Sequence, residues 1–236
     1  MTTKFDEIKK FAESTLGELP EVIKLLNKLD ENTAIEQFNE NINLYLGGKN
    51  LPKKVASLIA MAIAAANGPK ESVMIHFKLA KKFGADNIEI LDALKAAKMA
   101  LMSSTITAIL NLVDNEHYEL DEEIQRILEM IKKESGVIPE RILSLSKFSK
   151  EMLKEHLREK KELLTPRKLD KKYVFLIAYS VSVSIHDREC ENVYLNQFIK
   201  NNGSIEEVED AINIVRFITG NRAFVNALEI LKLLNQ

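Results

Sequence analysis

The sequence predicts an all-α protein made of two tandem copies of one helical unit, and three observations predict it. Each of the five prolines (Pro20, Pro52, Pro69, Pro139 and Pro166) stands just ahead of a periodic apolar stretch, where a helix accepts proline in its first turn. The eight glycines (Gly17, Gly47, Gly48, Gly68, Gly84, Gly136, Gly203 and Gly220) are expected at the ends of such stretches, where glycine takes the left-handed cap conformation. The third observation is a repeat. Residues 51–113 match residues 169–231 without a gap at an offset of 118, half of the 236-residue chain. Identities include Leu58/Leu176, Ile59/Ile177, Ala60/Ala178, Glu89/Glu207, Asp92/Asp210 and Ala93/Ala211. The expected organisation is repeat 1 over residues 1–118 and repeat 2 over 119–236, related by a pseudo-two-fold axis and packed as one pseudo-dimeric unit. Two copies are too few for a solenoid.

Taken in order, the elements justify that class. The leading arm of each repeat is closed by Gly-x-x-Pro-Glu, at Gly17 to Glu21 and again at Gly136 to Glu140. The run 55–66 is apolar nearly all round, as is 173–185, so each predicts a helix buried on every side. Helices follow from Pro69 and from Asp187. Two more open on a side-chain cap with a glutamate three residues on, Asp86 with Glu89 and Ser204 with Glu207. No apolar–polar alternation bounded by hairpin turns is found. Six or seven helices are expected in each half.

Composition narrows the function. The chain carries 33 Lys and Arg against 35 Asp and Glu, a net charge of −2, which disfavours a duplex-DNA binder. A single cysteine forms no intramolecular disulfide, which argues against a secreted, stapled scaffold. The longest apolar run is shorter than the roughly 20 residues a membrane crossing needs, and the start lacks a signal-peptide core. A cytoplasmic protein with no nucleic-acid or membrane partner is expected. The mixed charges of 154–162 read as an exposed helix face. His76, His117, His156 and His186 stand apart, with no ligand spacing for a metal.

Leu51-Pro52-Lys53-Lys54, then Leu58-Ile59-Ala60, Val73-Met74-Ile75-His76 and Ala80-Lys81-Lys82-Phe83-Gly84-Ala85 carry a resemblance. The chain is similar to the carboxymuconolactone decarboxylase and AhpD-like (alkylhydroperoxidase) superfamily, and both repeats share the likeness. The resemblance implies a Cys-x-x-Cys-x-x-x-His motif opening a helix, fed by an upstream glutamate. One cysteine attacks peroxide and the other resolves the sulfenic acid. Here those positions read Pro69, Ser72 and His76 in repeat 1, with Ser57 for the glutamate. In repeat 2 they read Asp187, Cys190 and Tyr194, with Phe175 for the glutamate. A disulfide cycle within the chain is therefore impossible.

Two function classes follow. The first is at most a one-cysteine peroxidase working through Cys190 with an outside thiol. The second is a cysteine-independent binder or lyase of small organic acids centred on His76. A third reading is a scaffold without chemistry. Peroxide or a small organic acid is the expected ligand, and no cofactor is expected. Cys190 reads either as a nucleophile in a helix first turn beside Arg188 or as a small buried hydrophobe. His76 reads either as a site residue or as a core histidine. Lys70, Arg188 and Arg222 are the cations placed to contact an anion. The resemblance also implies a homo-oligomer, a trimer before a dimer.

Overall fold

The protein is described from a computed structural model over residues 3–113 and 121–236. The 118/119 repeat boundary and His117 lie outside the described residues. Thirteen α-helices and no strands are found among the described residues. The first repeat supplies α1 (Lys4–Leu16), α2 (Glu21–Leu29), α3 (Glu31–Glu40), α4 (Lys53–Asn67), α5 (Lys70–Lys82) and α6 (Asn87–Thr105). The second supplies α7 (Glu122–Ser135), α8 (Glu140–Phe148), α9 (Lys150–Leu163), α10 (Lys171–Ser184), α11 (Arg188–Lys200), α12 (Ile205–Asn226) and α13 (Leu228–Leu234). A π-turn over Asn41–Leu46 extends α3, and a 3-10 turn over Ile106–Ile109 extends α6.

The local signals act as the residues require. Pro20, Pro52, Pro69 and Pro139 are the N-cap residues of α2, α4, α5 and α8, one position earlier than the first turn. Gly17 and Gly136 end α1 and α7 at φ 81°, the left-handed conformation that costs an L residue strain. Ser204 and Glu207 form a reciprocal capping box. Asp86 and Glu89 do the same, through Asp86 N to Glu89 Oε2 at 3.0 Å and Glu89 N to Asp86 Oδ1 at 2.9 Å. Gly220 departs from expectation, because it lies inside α12 rather than at a helix end. One glycine costs a helix only about 1 kcal/mol. The packing of α12 along α4 outweighs that.

Two compact units result, and they follow a different division from the sequence repeats. One comprises residues 1–90 and 204–236; the other comprises 91–203. Each repeat thus gives its last long helix to the unit built mainly from the other repeat. In the first unit α4 packs on α5 and α12, α1 on α3 and α5, and α2 on α3 and α13. In the second, α10 packs on α11, α8 on α9 and α7 on α11. Residues 55–64 of α4 and 174–182 of α10 are buried, as their apolar runs demand.

One carboxylate locks each exchanged helix. Asp92 on α6 is 2% exposed and accepts from the backbone N–H groups of Arg167, Lys168 and Leu169 at 2.9–3.1 Å. Asp210 on α12 likewise accepts from Asn50 N at 2.7 Å and Leu51 N at 3.0 Å. Gly48 packs closely beside it, since an added Cβ would stand 3.0 Å from Asp210 Oδ2. These two aspartates are identical in the repeat alignment, and charge-assisted bonds to several amides are the reason they match. Asp92→Ala, which removes the acceptor of three N–H groups, that of Leu169 buried, is expected to cost about 2 kcal/mol in urea unfolding, with Asp92→Asn recovering part of it.

Candidate functional site

Each unit holds a cavity beside the helix that carries the motif positions. The first, of about 90 Å³, is walled by α1, α2, α3, α5 and α12; the second, of about 30 Å³, is bounded by α6, α8, α9 and α11. They are the same place in the two repeats. Ser72, Ile75 and His76 line the first where Cys190, Val193 and Tyr194 line the second, at the repeat offset of 118. In the leading arms, where Pro20 answers Pro139, the offset is 119. Val22, Gln37 and Asn41 then face the first cavity where Arg141, His156 and Lys160 face the second. Asn221 on α12 corresponds to Ser103 on α6 at the offset of 118.

The first cavity is apolar and carries no charged side chain. Its polar lining is Gln37, Asn41, Ser72, His76 and Asn221. His76 sits on α5, 4% exposed, with its ring 5.4 Å from that of Tyr45 in an edge-on contact. Tyr45 in turn stacks on Phe217 of α12 at 6.1 Å. Burial holds the His76 imidazole down at about 3, so it is neutral near pH 7. Its Nδ1 is buried with no hydrogen-bond partner, and so is Oδ1 of Asn221. A buried polar atom left unpartnered is costly, and two in one cavity mark a place shaped for something that bonds to them.

The second cavity is filled from within. Arg141 on α8, only 5% exposed, lays its guanidinium against α11. Its Nη2 and Nη1 donate to both carboxylate oxygens of Asp187, the latter at 2.8 Å, and Nε donates to Glu189. Nη1 also reaches the Ser103 carbonyl at 2.9 Å and stands 3.5 Å from Cys190 Sγ. Burial pushes the Asp187 carboxyl up, but Arg141 and the Cys190 N–H outweigh it and hold it below the usual range. No sequence signal single-handedly marked Arg141; the pairing of Pro20 with Pro139 was the clue, since it places an arginine where repeat 1 has a valine.

Cys190 lies in the first turn of α11, capped by Asp187, as expected. The expected activation fails. Burial pushes the thiol up to about 12, and Arg141 does not rescue it. That guanidinium is already shared between two carboxylates, so a thiolate would add a third negative charge. Arg188 is 88% exposed and pairs with Glu191, not with the thiol. Tyr194 is fully buried, within 3.4 Å of the Ser103 hydroxyl, and burial raises its phenol further. Ser57 and Phe175, at the glutamate positions, are buried without a carboxylate.

The other residues expected to contact an anion lie as follows. Lys70 is exposed, and neither it nor Arg222 lines the first cavity. Arg222 turns its Nε to the Thr219 carbonyl instead. Pro69 only caps α5. His76 belongs to the first unit and Cys190 to the second. No group of three or more His, Cys, Asp or Glu placed to hold a metal is found among the described residues, nor is a helix long and apolar enough to cross a membrane.

An all-α protein of two helical units, each with one cavity under its motif helix, is the class that fold and site define. The model of the carboxymuconolactone decarboxylase family matches residues 32–115 and 151–233, so the chain belongs to that family. A crystal structure described as a gamma-carboxymuconolactone decarboxylase subunit from Burkholderia xenovorans superposes with a TM-score of 0.84. The match covers 99% of this chain and 98% of that one at 14% identity, which establishes a shared fold. No curated protein matches the chain in sequence.

Two outcomes follow from these geometries. In native protein Cys190 is expected to resist a thiol-disulfide reagent at pH 8, reacting fully only after unfolding. His76 and His156 are held near 3 and 4 by burial, whereas unfolded histidine titrates near 6.5. The unfolded chain therefore takes up protons first, and stability should fall as pH drops below about 6.5, by about 1.4 kcal/mol per pH unit for each histidine. His76→Gln should roughly halve that slope between pH 6 and 5, read by urea unfolding.

Proposed function

We propose that the chain acts through the cavity of its first unit, as a cysteine-independent binder of a small organic molecule with His76 as the polar handle. One observation carries this reading. A cavity of about 90 Å³ lies under the family's motif helix and presents a buried imidazole nitrogen that nothing in the chain satisfies. That volume accepts several water-sized groups, and the apolar wall from Ile8, Leu19, Phe38, Leu79 and Phe217 disfavours filling it with water. A neutral imidazole can also accept or relay a proton, which leaves room for lyase chemistry on a bound molecule.

Peroxidase action finds no support in the thiol. Cys190 has no resolving cysteine, and burial strongly disfavours its thiolate although His156 and Lys160 line the same cavity. Peroxide consumption with a small thiol donor should stay at the uncatalysed rate and should not change in Cys190→Ser. For the cavity, long-range ¹H–¹⁵N spectra of histidine-labelled protein should show the His76 signals shift with at least one member of a set of small aromatic and aliphatic fragments. The shift should vanish in Val22→Trp, whose indole would fill the space. Absence of any His76 response across the set would end this reading.

We further propose that the chain assembles with copies of itself, a trimer before a dimer. Exposed Ile230, Leu233 and Leu234 on α13, at 59–65% exposure, support this, since large side chains clustered on one short helix are more often covered than left in water. Light scattering at micromolar concentration should give about three chain masses; a 26.8 kDa particle throughout would refute it.

A further inference from the structure

The two cavities share an origin but differ in one respect that bears on what each can hold. Around the second, Arg141 and Lys160 bring positive charge, Glu189 brings negative charge, and Asp187 closes on the guanidinium. Around the first, the lining counterparts are uncharged, Val22 for Arg141, Asn41 for Lys160 and Gln37 for His156, and Glu71, the counterpart of Glu189, is exposed and does not line the cavity. A carboxylate entering the first cavity would give up its water and meet no cation, a loss that hydrogen bonds from neutral side chains do not offset. An ammonium would meet no carboxylate. Charged ligands are therefore selected against on both signs.

The unpartnered atoms say what is selected for. Asn221 offers an amide oxygen, and a neutral imidazole offers a ring nitrogen that accepts when the proton sits on the other nitrogen. Both want a donor. A hydroxyl or an amide N–H supplies one, while an aliphatic or aromatic body suits the surrounding Ile8, Leu19, Phe38, Leu79 and Phe217. In the second unit the counterparts Tyr194 and Ser103 meet each other, hydroxyl to hydroxyl at 3.4 Å, while the donors of Arg141 go to Asp187, Glu189 and the Ser103 backbone carbonyl.

We propose that the first cavity selects an uncharged molecule with an apolar body and a hydrogen-bond donor, held by His76 and Asn221, and that Arg141 permanently occupies the second cavity, so that each chain takes one ligand and not two. This rests on the first cavity's being the functional site, as proposed above. The residue at the position of Val22 and Arg141 decides which cavity is open.

The probes are 4-methylphenol, its charged analogue 4-methylbenzoate and its donor-free analogue toluene, titrated into the full chain at pH 7.5. Binding is read by calorimetry and by the His76 ring signals. The phenol is expected to bind at one per chain, with the benzoate at least tenfold weaker. Asn221→Leu should weaken the phenol about tenfold and leave toluene unchanged, and His76→Phe serves as the second variant should Asn221→Leu fold poorly. Benzoate binding as tightly as the phenol, with the His76 signals responding, would overturn the charge selectivity while leaving the cavity as the site. Two phenols per chain would overturn the role given to Arg141. Equal losses of phenol and toluene in both variants would overturn the donor assignment. No response of His76 to any probe would instead remove the reading on which the proposal rests.

Discussion

The architecture depends on a carboxylate reaching out of each repeat's last long helix to collect the backbone amides of a turn in the other repeat. Asp92 takes three consecutive N–H groups at 167–169, and Asp210 takes those of Asn50 and Leu51. Each turn stands just ahead of a core helix, α10 or α4, whose first amides have no carbonyl partner within the helix. The aspartate therefore does two things with one charge. It satisfies turn backbone, including the buried N–H of Leu169, and it ties the exchanged helix to that turn. Alanine-rich stretches of α6 such as 93–100 would pack against many partners; a buried carboxylate tolerates very few.

Once α12 is placed in the first unit and α6 in the second, each motif helix gains a facing residue that its own repeat does not supply. Asn221 comes to His76, and Ser103 comes to Tyr194. The two equivalent cavities differ. The first has uncharged walls and about 90 Å³ of volume. The second has Arg141 in its wall, paired with Asp187, and about 30 Å³. A buried pair of this kind contributes less to stability than its short contacts suggest, because both partners give up water. Its consequence for chemistry is larger, since it matches the guanidinium beside the chain's single thiol with two carboxylates.

Cys190 illustrates why position in a motif does not confer reactivity. A helix N-terminus and a nearby arginine both favour thiolate, and both are present. Burial acts against them, and the arginine's charge is already matched by Asp187 and Glu189. Desolvation wins because it acts on the full thiolate charge, whereas the guanidinium acts only with what its carboxylate partners leave.

The sequence by itself determined the helical class, the doubling of the unit, the capping boxes at Asp86 and Ser204, and the buried runs within α4 and α10. These are local or periodic properties, dictated by φ preferences, side-chain caps and the spacing of apolar residues. It also singled out Asp92 and Asp210, but only as identities without a stated purpose. The tertiary structure alone decided which repeat receives α6 and α12, and that Arg141 sits against Cys190 although 49 residues separate them. It likewise decided that Lys70 and Arg222 stand away from the first cavity while Val22 and Asn221 line it. The physical reason is that charge, solvation and free volume belong to a place, and a place is assembled from segments whose meeting no local pattern encodes.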